Sequence, residues 1–317
     1  MHLYLLHQGS LSRLEKGRLV LEERGPGRKQ ILESLPARKV RSVSVFGNVG
    51  FSTPALAFLL RQGATIYFFS IEGSFYGTLA QNPEPHPAVL RAQLQTPPFS
   101  LARAFVLGKM RSAKALLEHY HLSTAQMDGY LSDLERIGDL RRLRGIEGIA
   151  AREYFHRFAE ILSNYGFHER NRRPPKDAVN AALSYGYALL LGQRLTAVRI
   201  AGLHPEIGFL HTTGRRRPAL ALDLMEEFRI ALVDQIVVSA FRRGIFQDLH
   251  FENRNGGVFL TEEGRKEMIR LFEARLSTEA KHPLGFRKPY KEILMVQAHR
   301  LKAALLAKGT YTPFYLK

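Results

Sequence analysis

Three carboxylates crowd one apolar run: Ala219 to Val233 carries Asp223, Glu226 and Glu227 within five positions. At about 100° per residue the apolar side chains cover nearly the whole helical wheel, which predicts a largely buried helix. Asp223 stands i, i+3 to Glu226 and i, i+4 to Glu227, so the three repel as neighbours on one side of it. Burying ionised carboxylates together is costly without a cation, and the run leaves two solutions open, arginine pairing or a metal. Two more groups could join them. His211 ends the short run Gly208-Phe209-Leu210-His211 before a polar turn. On its own such a histidine reads as a hydrogen-bonded structural residue, and His204, before Pro205, is a rival. Glu147 lies in Gly145-Ile146-Glu147-Gly148, just ahead of an expected helix. The helix dipole would favour a carboxylate there, whereas glycines on both sides suit the close approach of a ligand or a nucleic-acid strand. One imidazole and two or three carboxylates make a hard, oxygen-rich donor set, which favours Mg²⁺ or Mn²⁺ with positions open to water and phosphate. At a phosphodiester such an ion would align a nucleophile and stabilise the leaving oxygen.

Each of these acids or imidazoles lies near an arginine cluster: Arg141-Arg142-Leu143-Arg144, the stretch Glu169 to Pro175 with Arg170, Arg172 and Arg173, and Arg215-Arg216-Arg217 after Gly214. One cluster alone reads equally well as a solvated face. Three of them in a chain with 46 Lys+Arg, 29 Asp+Glu and a net charge of +17 point to a polyanion, because guanidinium binds phosphate bidentately. The chain contains no cysteine, which excludes disulfides, thiolate metal sites and cysteine nucleophiles. Its N-terminus lacks the basic region and long apolar run of a signal peptide, so a cytoplasmic location is expected. The apolar stretches 54–60 and 230–241 are too short to span a bilayer, and Asp234 interrupts the second.

These side chains must be held by surrounding elements, and 317 residues suffice for two domains. The first 80 residues read as short β-type runs punctuated by glycine: Leu3 to Leu6, Gly17 to Leu21, Val40 to Phe46, Thr65 to Phe69 and Phe75 to Leu79. One helix interrupts them, with Thr53 as cap, Pro54 in the first turn and Gly63 as stop. Prolines at 83, 85 and 87 forbid regular structure and mark a linker over 82–87. Beyond it, helical spacing recurs over 88–95, 101–120, 123–143, 149–165, 177–191, 219–243, 261–276 and 289–307. The expected fold is α+β: a small β-rich domain over 1–81 and a larger all-α catalytic domain over 88–317. The charge is unevenly divided, +5 over residues 1–80 and +12 over the rest.

Four motifs in this order resemble the CRISPR-associated integrase, the universal endonuclease subunit of the spacer-acquisition machinery. They are Gly145-Ile146-Glu147-Gly148; Asn171 to Asp177 with Asn180 to Tyr187; Gly208-Phe209-Leu210-His211; and Ala221 to Arg229. The likeness covers nearly the whole chain, Val45-Phe46-Gly47 included. It implies a metal-dependent DNase and integrase that inserts DNA fragments as spacers into a CRISPR array, joining a fragment's 3′-hydroxyl by transesterification. The metal ligands it implies are Glu147, His211 and Glu226, with Asp223 a further catalytic acid supporting the site. Some relatives carry aspartate where Glu226 stands. Arg170, Arg172, Arg173, Arg215, Arg216 and Arg217 would grip DNA without reading sequence. The resemblance further implies a homodimer formed by the N-terminal domain, and two dimers clamping a small companion CRISPR subunit in a heterohexamer on duplex DNA. Two other classes stand beside this: a general metal-dependent repair or junction nuclease, and a DNA-binding protein whose carboxylates only pair with arginines. Tyr185 and Tyr187 lack the basic pattern of a tyrosine recombinase and read as packing or DNA contacts. Lys109 reads as facing solvent or phosphate.

Overall fold

Alternating apolar residues build two sheets over the first unit. Strands β1 (His2–Leu5), β5 (Ser42–Phe46), β7 (Thr65–Phe69) and β8 (Phe75–Leu79) form one sheet in the order β1-β5-β7-β8. The first three run parallel and β8 is antiparallel to β7. Every residue of β5 is buried, as expected of a central strand covered on both faces. The second sheet, β4-β3-β2-β6, comprises β2 (Ser10–Glu15), β3 (Arg18–Gly25), β4 (Arg28–Pro36) and the two-residue β6 (Gly50–Phe51). Helix α1 (Thr53–Arg61) packs Ala55 and Leu59 into a core shared with Leu5, Val43, Val45 and Ile66. Its cap is Ser52 rather than Thr53; the Ser52 hydroxyl accepts from the Ala55 amide at 3.4 Å.

The computed structural model describes residues 1–25, 28–81, 85–212 and 217–317. The chain divides into two compact units, Met1–Pro83 and Glu84–Lys317. Of the stretch 82–87 read as a linker, residues 82–84 lie outside the described residues, and Pro87 is the first residue of α2 (Pro87–Gln95).

The second unit is helical. After α2 come α3 (Pro98–His119), α4 (Ala125–Arg136), α5 (Leu140–Leu162), α6 (Ala178–Ile200) and α7 (Ala219–Met225). A π-helical segment (Arg229–Asp234) then leads into α8 (Gln235–Arg242), followed by α9 (Glu262–Ser277) and α10 (Tyr290–Ala307). Two short hairpins accompany the helices: β9 (Phe251–Arg254) with β10 (Gly257–Leu260), and β11 (Glu279–Lys281) with β12 (Arg287–Pro289). Helix α6 is the axis of the unit, apolar on all sides and buried along most of its length, packed by α7, α9 and α10. Among the described residues no helix is long and apolar enough to cross a membrane.

Two of the boundaries that differ from the sequence expectation matter for the site. Helix α5 starts at Leu140 because the Asp139 carboxylate caps it, accepting from the Arg142 amide at 2.9 Å. Glu147 therefore sits inside a helix rather than ahead of one, and a Cβ added at Gly145 or Gly148 would meet open space. The expected helix over 219–243 is interrupted at the carboxylates themselves, between the end of α7 and the π segment. Such bulges re-aim side chains within an otherwise regular helix.

Candidate metal and phosphodiester site

The carboxylates that looked mutually repulsive go three different ways. Glu227 turns into the core, accepting from Tyr311 Oη at 2.5 Å, Gln297 Nε2 at 2.7 Å and the Phe314 amide at 2.7 Å. Asp223, fully buried, accepts the amides of Phe209 (2.5 Å), Leu210 (3.0 Å) and His211 (2.8 Å). Its Oδ1 also lies 2.7 Å from His211 Nδ1. For these two acids the opposing choice between arginine and metal does not arise, since hydrogen bonds already compensate the charge. Only Glu226 remains facing a polar cavity.

Asp223 thereby sets the chemistry of His211. A carboxylate can only accept, so Nδ1 carries the shared proton and Nε2 is left to present its lone pair, as in carboxylate–histidine pairs behind metal ligands. Nε2 lies 4.0 Å from Glu226 Oε1. Arg144, one turn ahead of Glu147 on α5, reinforces the loop by donating to the Leu210 carbonyl from Nε (2.9 Å) and Nη2 (2.7 Å). The helix that carries Glu147 and the loop that carries His211 are thus tied together. Arg144, Glu147, Leu210, His211, Thr212, Arg217 and Glu226 line one cavity of about 260 Å³.

Two cations hold Glu226. Arg229 Nε donates to Oε1 at 2.9 Å, and Lys109 Nζ, from α3, lies 2.8 Å from Oε2. Burial would raise the Glu226 carboxyl, but Arg229, Lys109 and His211 outweigh it and hold the group down at about 2. Lys109 also donates to Glu147 Oε1, so one ammonium bridges both acids. Burial would lower the Lys109 pKa, yet the two carboxylates raise it. The Lys109–Oε2 approach lacks hydrogen-bond geometry, which leaves that buried oxygen without a hydrogen-bond partner.

Arg229 is positioned from behind. Its guanidinium lies 4.7 Å over the Tyr187 ring. Tyr187 donates to Asp234 Oδ1 and Tyr154 to Oδ2, each at 2.7 Å. Burial pushes the Tyr187 hydroxyl far up, and the neighbouring Asp234 adds to the shift. The Tyr187 hydroxyl is thus engaged with Asp234, which agrees with the packing reading; Tyr185 is buried in α6 and is likewise pushed up by desolvation.

Among the described residues, no three His, Asp or Glu side chains stand ready as a metal cage. The donor set nevertheless fits an Mg²⁺-sized ion. Carboxylate oxygens suit a hard divalent ion, and His211 Nε2 and Glu226 Oε1, 4.0 Å apart, face the same cavity as Glu147. Glu226 Oε2 has an unspent acceptor, and the Lys109 ammonium already marks a cation's place between Glu147 and Glu226.

The arginines read as DNA contacts divide. Arg172, Arg173 and Arg217 are exposed. Arg170 turns inward, donating to Asn180 Oδ1 at 2.7 Å and Ser184 Oγ at 3.0 Å beside the Tyr187 ring, because Asn180 at the start of α6 offers it a buried acceptor. Arg215 and Arg216 lie outside the described residues. Sequence reasoning missed Lys109, which faces the two acids rather than solvent, and Arg229. The only signal for Arg229 was its i, i+3 spacing from Glu226; nothing local marked Lys109, which lies on another helix.

A family model described as "CRISPR associated protein Cas1" matches residues 3–274. The chain is 58% identical over 317 residues to the CRISPR-associated endonuclease Cas1 1 of Thermus thermophilus, covering 100% of this chain and 99% of that protein. It superposes on a Cas1 protein from Thermotoga maritima with a TM-score of 0.87 at 24% identity, over 98% of each chain. On a casposase bound to its integration product the TM-score is 0.86 at 22% identity, over 98% of this chain and 93% of that one. At these identities the structural likeness carries the fold.

Proposed function

The chain belongs to the Cas1 family, and from that premise we propose that it is a metal-dependent DNA endonuclease and integrase that inserts DNA fragments into a CRISPR array. The observation that carries the reading is the convergence of Glu147, His211 and Glu226 on one arginine-lined cavity from α5, a loop and the end of α7. These three would hold Mg²⁺ or Mn²⁺. A bound ion would polarise the scissile phosphate and stabilise the leaving oxygen. The chain's own residues do the rest. Asp223 fixes the His211 tautomer, Arg144 fixes the loop, and Arg229 holds Glu226 ionised. Arg144 and Arg217 present cationic charge at the cavity, suited to the phosphate of a strand whose 3′-hydroxyl attacks. In that step a new P–O bond forms to the incoming 3′-oxygen as the bond to the array's own 3′-oxygen breaks, and the proton passes from the first oxygen to the second.

Exposed Arg172 and Arg173, with Arg215 and Arg216, would extend the backbone contact; Arg170 falls out of that role. By family, a homodimer formed through the N-terminal unit, and two such dimers around a small companion subunit, complete the machine on duplex DNA. A protein that edits a chromosomal array shares its compartment, so the expected cytoplasmic location goes with this reading.

The test is strand transfer of a duplex with free 3′-hydroxyls into a supercoiled plasmid bearing a repeat array, with Mg²⁺ or Mn²⁺. Glu147→Ala, His211→Ala and Glu226→Ala should each abolish joining while leaving DNA affinity within a few-fold. Cleavage without joining would return the assignment to a general repair nuclease. No response of cleavage or thermal stability to Mn²⁺ would leave only a DNA-binding protein. Charge reversal at Arg217 should weaken DNA binding and flatten its salt dependence.

A further inference from the structure

Without a divalent ion, the two ligand carboxylates are already ion-paired. Glu147 and Glu226 face Lys109 and Arg229, two carboxylates against two cations. A divalent ion added to this set would leave it strongly cationic in a poorly solvated place, so one of the two organic cations must give way. They are not equally free to do so. Arg229 is clamped between the Glu226 carboxylate and the Tyr187 ring, itself anchored by Asp234. Lys109 rests on the two carboxylates at the end of a flexible stem, with no ring among the described residues stacked on its ammonium. Its helix is closely packed there, since a Cβ at the adjacent Gly108 would stand 2.7 Å from the Phe314 carbonyl oxygen, so the side chain is the part that swings most easily.

We infer that Lys109 is a built-in placeholder for the divalent ion: its ammonium and the metal compete for the Glu147–Glu226 pair, and the metal enters only as Lys109 withdraws. The lysine keeps the two acids assembled and mutually neutralised before the metal arrives, and it makes the site weaker for metal than its donor set alone would be. This rests on Glu147, His211 and Glu226 being the ligand set.

The experiment is calorimetric titration of the full chain with MnCl₂, comparing the wild type with Lys109→Met, which keeps the stem and removes the charge, and with Glu226→Gln. Lys109→Met should bind Mn²⁺ at least tenfold more tightly, and its melting temperature should be lower without Mn²⁺ and rise further on adding it. Equal or weaker Mn²⁺ affinity in Lys109→Met, with Glu226→Gln binding no Mn²⁺, overturns the placeholder alone. Unchanged Mn²⁺ affinity in Glu226→Gln overturns the ligand set and the placeholder with it. A readout on the wild type decides the matter if Lys109→Met does not fold. Amine acetylation of Lys109, followed by mass spectrometry, should rise several-fold when saturating Mn²⁺ is present while other lysines stay constant. Unchanged labelling with Mn²⁺ bound would show that metal and ammonium do not exclude one another.

Discussion

Asp223→Asn replaces four acceptances by two, and the geometry dictates which are lost. Oδ2 takes the amides of Phe209 and Leu210, and Oδ1 takes the His211 amide and ring Nδ1. An asparagine amide must point its NH₂ at one of these pairs. Aimed at Phe209 and Leu210 it strands two buried amides. Aimed at His211 it strands one amide but can donate to Nδ1, which forces the imidazole proton onto Nε2 and removes the lone pair facing Glu226. Hydrogen bonds to a charged acceptor contribute about 1.5–3 kcal/mol each, so losing two costs roughly 3–6 kcal/mol. For a unit of this size about 2–4 °C accompanies each kcal/mol, a fall of roughly 6–24 °C in melting temperature. Circular dichroism melts measure the first effect, and ¹⁵N shifts of the His211 ring, assigned with His211→Ala, measure the second. Strand transfer should be lost even at temperatures where the variant is folded. A melting temperature within about 2 °C of wild type, with the proton still on Nδ1, would refute the account of Asp223 as the residue that sets the histidine.

Arg144→Met should loosen the His211 loop for a stability cost of about 1 kcal/mol and lower strand transfer roughly tenfold or more. Arg144→Lys, which keeps charge but not the two-pronged grip on Leu210, should fail to restore it; full rescue by lysine would show that Arg144 acts by its charge alone and not through the loop. Asp234 gives a pH prediction. Burial raises its pKa to about 6 against the opposing hydrogen bonds of Tyr187 and Tyr154. A folded pKa above the unfolded value favours the protonated form, so its contribution is fully present below about pH 4 and lost as pH rises through about 6. A shift of about two units corresponds to roughly 3 kcal/mol. Asp234→Asn, which does not titrate there, should gain on wild type by up to that amount between pH 4 and pH 8 in thermal melts. Parallel melting curves across that range would dismiss the effect.

Much of the machine was legible in the chain itself. Period-two alternation marks β5, helical spacing marks most of the second unit, and a proline-punctuated stretch marks where the β-rich first unit ends, although the hairpins β9–β10 and β11–β12 lie beyond it. The acids, the histidine and the surplus of arginine pointed to a cation and a polyanion because residue types and charge are local properties. Strands β2 and β4 were missed, since neither carries a long apolar alternation of its own; each pairs antiparallel with β3. The sequence also placed Glu147 ahead of a helix, because Gly145 and Gly148 weigh against one locally, whereas the Asp139 cap and the packing of Leu143 and Ala150 carry α5 straight through.

What only the tertiary structure decided is where each charge points. Sequence spacing set Asp223, Glu226 and Glu227 side by side and made them one repulsive group; the fold gives one to loop amides and a histidine, one to the core, and one to the cavity. It brings Lys109 across from α3 to the two site carboxylates and turns Arg170 inward. Lys109 stands 38 residues from Glu147 and Tyr311 stands 84 from Glu227, and even the partners of Asp223 and Arg170 come from another element 10 to 14 residues away. A charge's sign belongs to its residue, but its compensation is a long-range contact, so periodicity could count the charges and only packing could pair them.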